Sequence, residues 1–222
     1  MAKNILRPLL IFAVALFTLT ACEENITEDD PEYDNWKARN ETYFEQKMTE
    51  AKAAIATAKA QYGDDWENHC SYRILRNYSI SSTTGGSLKD SICVEIVETG
   101  SGTVVPYYTD SVRVNSTRRL IPTDEHPEGK LVDHTGYTVY EDDIFNDATS
   151  SPVLRAISSL TKGEATALQQ MHIGDRWKIT SHYDLAYGTS ASSTTIPDYS
   201  TMISEIKLRG IYRRGTDIPD WK

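Results

Sequence analysis

ALQQMHIGDRWKITSHYDLAYGTSASSTTIP, residues 167–197, sets out a succession of local structures that decides how the rest of the chain is read. Ala167, Leu168 and Met171 close a short amphipathic helix predicted over residues 164–171, and Gly174 turns the chain. Trp177 and Ile179 then alternate with polar neighbours, the mark of a half-buried strand over 176–182. A Tyr187-Gly188 turn and a Ser/Thr-rich loop follow, and Ile196-Pro197 leads into another strand at 200–212.

Working outward, β-rich runs at 72–78, 91–98 and 110–120 are separated by Ser-Ser-Thr-Thr-Gly-Gly at 81–86 and by Gly100-Ser-Gly102. They read as antiparallel strands joined by turns, so the fold class is α+β, a mainly antiparallel sheet wrapped over one short helix. Residues 122–151 read as a long polar loop, a length that usually signals function or disorder. Upstream, Trp36, Tyr43, Phe44, Met48, Ala51, Ile55, Ala58 and Tyr62 recur at three- and four-residue steps, which predicts one long amphipathic helix stopped at Gly63.

The order Leu168, Met171, Gly174, Trp177, Ile179, Tyr187, Gly188, Ile196, Pro197 resembles the C-terminal half of the FKBP-type peptidyl-prolyl cis-trans isomerases. The resemblance extends back to about Gly100. It implies an FKBP-like domain at 100–213, behind a signal peptide (1–21), a lipidated acidic tether (22–32), the N-terminal helix (33–63) and a β-rich extension (64–99), with a short tail at 214–222.

The implied chemistry is rotation of an X-Pro amide, whose partial double bond opposes it with a barrier of ~18–20 kcal/mol. It requires no nucleophile, cofactor or metal, only an apolar floor that desolvates the amide and a donor that holds its carbonyl. Carried over position by position, the resemblance puts Tyr187 on the loop tyrosine that faces the substrate carbonyl and Ile196 on the wall beside it. Gly129-Lys130-Leu131-Val132-Asp133 looks like the family's Gly-x-x-Phe-Asp, with Asp133 kept and Val132 in place of the aromatic. Its Val-x-Tyr-x-Gly strand appears as Val114-Asn115-Ser116-Thr117-Arg118, so Ser116 replaces a site tyrosine and Arg118 a glycine.

After Gly163, Glu164 stands where the family has its floor tryptophan; Leu160 and Thr161 take the preceding apolar pair, and Ser204 the inward aromatic of the last strand, in phase with Met202, Ile206 and Leu208. Each lost aromatic withdraws ~150–250 Å² of contact surface. A shallower, wetter cleft is expected. A buried unpaired carboxylate is costly, so Glu164 is expected to face solvent or to pair with Lys162 or Arg155.

The first residues carry Lys3 and Arg7 before an apolar run at 8–21, too short for the ~20 residues that a bilayer span needs. The run ends Leu19-Thr20-Ala21-Cys22, which looks like a bacterial lipobox and implies lipidation at Cys22 and attachment to the outer membrane, on its periplasmic face or at the cell surface. Of 23 basic residues, loss of Lys3 and Arg7 leaves 21 against 32 acidic ones, a balance that argues against nucleic acid. Beyond Cys22 only Cys70 and Cys93 remain, and a disulfide between them is possible in an oxidising compartment. His69, His126, His134, His172 and His182 show no metal-ligand spacing, and Glu141-Asp142-Asp143 with Asp147 lacks the order of a calcium loop.

Three readings follow. The resemblance implies an isomerase of modest activity on proline-containing clients among exported proteins. Loss of the aromatics favours a non-catalytic module that binds an extended peptide or another envelope protein. The helix at 36–62 would serve a chaperone that dimerises or holds clients through it.

Overall fold

The protein was analysed as a computed structural model, which describes residues 30–80, 86–136, 144–146, 148–190 and 195–221. The apolar run, Cys22, Glu141-Asp142-Asp143 and Asp147 lie outside the described residues. A 3-10 turn at Pro31–Tyr33 precedes helix α1 (Trp36–Tyr62), and a second 3-10 segment, Gly63–His69, follows it. Strands β1 (Tyr72–Arg76), β2 (Ser91–Glu98), β3 (Ser111–Arg119), β4 (Leu131–His134) and β5 (Val153–Ala156) come next. Helix α2 (Lys162–Leu168), β6 (Arg176–Ser181) and β7 (Met202–Tyr212) complete the described elements.

All seven strands form one antiparallel sheet in the order β1-β2-β6-β7-β3-β4, and β5 also pairs with β3. β4 and β5 divide the outer edge of β3 between them, opposite 117–119 and 111–114 respectively. The strand at Leu131–His134 lies inside the stretch that the sequence reads as loop. Its four residues carry too little alternation to announce themselves, and the long edge of β3 supplies their hydrogen-bond partners. The segment 64–99 contributes β1 and β2 to this same sheet, so the sheet runs unbroken across Gly100.

Strand alternation builds two cores. Ile92, Val94, Val112, Val114, Ile179, Ile206 and Leu208 point to one face and are capped by Ala165, Leu168 and Met171 of α2 and the turn after it. Cys93 points to the other face, where Phe44, Met48 and Ala51 of α1 pack over it together with Tyr72 and Ile74. Phe44 and Met48 are almost wholly buried, each contributing ~1.5–3 kcal/mol of apolar burial. The apolar side of α1 therefore lies against the chain's own sheet. Cys70 and Cys93 stay separate thiols, and burial pushes the Cys93 thiol up to about 12. No described helix is long and apolar enough to cross a membrane.

The start of α1 is fastened by polar contacts as well. Asn40 is fully buried; its amide donates to the Trp36 carbonyl at 2.8 Å and its side-chain oxygen accepts from the Thr201 N–H at 2.7 Å. Trp36 Nε1 donates to Ser200 Oγ at 2.9 Å. These bonds pin residues 200–201, directly before β7, onto the helix. Asn40→Ala leaves the Thr201 N–H buried without its acceptor, and a loss of about 1–3 kcal/mol is expected. A urea midpoint that moves by less than the equivalent of ~0.5 kcal/mol would show the clamp to be dispensable.

Candidate functional site

Cross-strand registry lays out the site. Asp133 on β4, Arg118 on β3, Ser204 on β7, Ile179 on β6 and Val94 on β2 stand in one row across five strands, facing α2. The row is apolar in the middle of the sheet and polar towards β4. The adjacent row, Ser116, Ile206, Trp177 and Ile96, is apolar except for Ser116, which is buried and whose backbone exchanges hydrogen bonds with Thr135.

Two glycines allow this arrangement. A Cβ on Gly163 would stand 2.1 Å from Ser181 Oγ, so only glycine lets α2 approach β6 closely enough to bring the next residue, Glu164, over the polar row. Gly129, with φ +82°, turns the chain into β4 against the Leu120 carbonyl and so places Val132 and Asp133. Thr161 caps α2, accepting from the Glu164 N–H at 3.3 Å.

Glu164 is 1% exposed, and the expectation that it faces solvent or pairs with Lys162 or Arg155 is corrected: its partner is Arg118. Arg118 Nε donates to Glu164 Oε1 at 2.6 Å and Nη2 to Oε2 at 3.3 Å, a two-point contact, while Nη1 forms an ion pair with Asp133. Ser204 Oγ donates to Glu164 Oε1 at 3.0 Å. Burial works against the guanidinium charge, but Glu164, with help from Tyr187 and Asp133, outweighs it and holds the Arg118 pKa above its ordinary value. The Arg118 side chain is 11% exposed and that of Asp133 45%, so the network is sealed at α2 and open at β4.

Tyr187 follows the 3-10 turn at Tyr183–Leu185, where Gly188 N–H donates back to the Tyr183 carbonyl at 2.8 Å. Tyr187 is partly exposed; burial raises its pKa and Arg118 lowers it, which puts the phenol and the guanidinium in the same electrostatic surroundings. Thus Asp133, Glu164 and Ser204 meet through Arg118, with Tyr187 beside them.

Other candidates are distributed differently. Val132 and Ile196 pack with Tyr33, Trp36, Leu120 and Met202 in a separate apolar cluster. Leu160 lies against the main core. The N-terminal segment thus forms part of the surroundings of Ile196, to which the resemblance assigns the wall. Arg118, counted in the sequence only as a lost glycine, is the member that sequence reasoning missed. The signal was there: Arg118 and Glu164 are opposite charges substituted at two positions that the resemblance aims into one cleft.

Removing Arg118 alone leaves the Glu164 carboxylate buried without its countercharge. Arg118→Ala is expected to cost about 3–5 kcal/mol, whereas Arg118→Met combined with Glu164→Leu is expected to come within ~1 kcal/mol of the original chain, or above it. Urea unfolding of both variants checks this, and an Arg118→Ala protein as stable as the original would mean that water or another cation already neutralises Glu164.

Residues 126–209 match the family model described as FKBP-type peptidyl-prolyl cis-trans isomerase. The chain is 29% identical over 122 residues to the FKBP-type 22 kDa peptidyl-prolyl cis-trans isomerase of Escherichia coli, an alignment covering 55% of this chain and 50% of that protein. It is 28% identical over 139 residues to the macrophage infectivity potentiator of Trypanosoma cruzi, covering 63% of this chain and 62% of that one. The chain therefore spans between half and two thirds of these curated relatives. Among solved structures it is similar to FkpA from Escherichia coli, with a TM-score of 0.45 and 20% identity over 85% of this chain and 74% of that one. Residues 126–209, within the C-terminal half of this chain, are thus similar to the FKBP-type peptidyl-prolyl cis-trans isomerase family.

Proposed function

We propose that the protein is a slow peptidyl-prolyl cis-trans isomerase of exported polypeptides, held by lipid on Cys22 at the outer membrane of a bacterial envelope. The observation that carries this reading is Tyr187, half-exposed on the loop after the Tyr183–Leu185 turn and in the electrostatic reach of Arg118, Glu164 and Asp133. A phenol there is available to a peptide carbonyl. Slow turnover follows from the floor: catalysis of rotation depends on removing water from the amide, and Arg118, Glu164 and Ser204 line with charge and hydroxyl what an apolar floor would desolvate.

The same ion pair favours a second reading, a non-catalytic module that binds extended peptides in this cleft. A guanidinium fixed by two carboxylates offers hydrogen bonds, which serve binding whether or not the amide rotates.

Isomerisation of a proline peptide by the protein, compared with its Tyr187→Phe variant, separates the two. The isomerase reading expects a rate above the uncatalysed one that falls several-fold in the variant, as loss of one hydrogen bond of about 0.5–1.5 kcal/mol would give. No acceleration by a folded sample leaves the binding module.

Attachment is tested apart from activity. Cys22→Ala should move the protein from the membrane fraction to the soluble fraction, because acyl chains, at ~0.8 kcal/mol per buried CH₂, provide the anchorage. A variant that stays on the membrane would refute lipid anchoring at this residue.

A further inference from the structure

Arg118 has more hydrogen-bonding capacity than its partners use. A guanidinium carries five N–H donors. Three hydrogen bonds to carboxylates engage Arg118, two with Glu164 and one with Asp133. Two N–H groups, one on each Nη, are left without a partner among the described residues, on a side chain that is 11% exposed. Donors on a side chain this little exposed are costly to leave unmade. They also cannot swing away, because the two-point contact with Glu164 and the bond from Ser204 fix the plane of the group.

We propose that Arg118 holds the bound polypeptide, its two uncommitted N–H groups taking a backbone carbonyl at the cleft beside Tyr187. This rests on reading the cleft as a peptide site. The acceptor is a neutral carbonyl rather than an anion, because Glu164 and Asp133 already set two carboxylates against the one guanidinium and would repel a third.

The role read for Tyr187 says which carbonyl. The oxygen of the rotating amide is the one that faces the Tyr187 phenol in the proposed reading. The carbonyl held by Arg118 therefore belongs to a neighbouring amide that stays planar throughout. Such a contact is equal in the ground and transition states, so it lowers KM and leaves kcat unchanged. Arg118 is a positioning residue for the peptide.

The test uses a blocked Ala-Leu-Pro-Phe peptide, with its dissociation constant measured by NMR titration independently of turnover. Arg118→Met is combined with Glu164→Gln so that no unpaired carboxylate remains buried, and Arg118→Lys, which keeps the charge as a single point donor, is the second variant. The double variant should bind about tenfold more weakly, and Arg118→Lys, which keeps the charge on the floor, should fall between with KM rising in step. Replacing the alanine carbonyl of the peptide by a thiocarbonyl, a poorer acceptor, should weaken binding to the original protein and leave binding to the double variant unchanged.

An unchanged dissociation constant in the variants, or tighter binding by the double variant, would overturn the proposal and make the ion pair a plug in the cleft. So would absence of peptide binding by the original protein. If the protein binds but does not catalyse, the isomerase reading fails while the variant and thiocarbonyl series still decides the role of Arg118. A double variant that does not fold leaves the decision to Arg118→Lys.

Discussion

A carboxylate that is 1% exposed must have a counterion, and most of what is particular to this structure follows from where Glu164 finds one. The guanidinium comes from the far end of β3, so α2, packed on β6 and β2, must turn Glu164 towards the β3–β7 pair. Gly163 permits that approach against Ser181, Ser204 adds a donor from β7, and Asp133 engages the guanidinium from β4. Four elements are thereby tied at one point. Their apolar contacts elsewhere would accept small shifts, but an ion pair removed from water accepts very little, because each ångström of separation exposes or orphans a charge.

The N-terminal helix stands in a different relation to the cleft. Its middle covers the back of β1 and β2, while its first turn reaches round to residues 196–202. Asn40 and Trp36 satisfy Thr201 and Ser200, and Tyr33 and Trp36 pack beside Ile196 and Val132. Residues that the family resemblance would assign to the cleft wall are thus supported from behind by the segment through which the chain enters the fold. Arg39, donating to the Glu32 carbonyl at 2.7 Å, and Thr123, bonded to the Glu32 carboxylate, extend this support to the loop before β4.

Much of this was legible in the sequence because it depends on period. Alternation at Trp177 and Ile179, and the phase of Ser204 with Met202, Ile206 and Leu208, place those residues on the observed faces of β6 and β7. The helix at 36–62 shows in its three- and four-residue steps. β4 did not show, because four residues beside β3 owe their extended form to a partner strand rather than to their own pattern. The Arg118–Glu164 pair, 46 residues apart, showed only as two opposite charges aimed into one cleft, because their pairing, like β4, depends on tertiary contact. Sequence reasoning can assign each residue to a face; it weighs a charge against solvent or near neighbours in the chain, and Lys162 and Arg155 were nearer than Arg118.

The exchange of aromatic surface for an ion pair has a direct physical meaning for the site. Apolar rings bind a proline by area, without direction, and leave the amide free to twist. A fixed guanidinium binds by direction and favours groups that present an acceptor in its plane. Peptide backbone does this at every residue, proline included, so a cleft built on Arg118 discriminates less by side chain and more by extended geometry. Tyr187, partly exposed where that network opens to solvent, is then the one element of the site whose usefulness is the same under both regimes: its ring offers area and its hydroxyl offers direction.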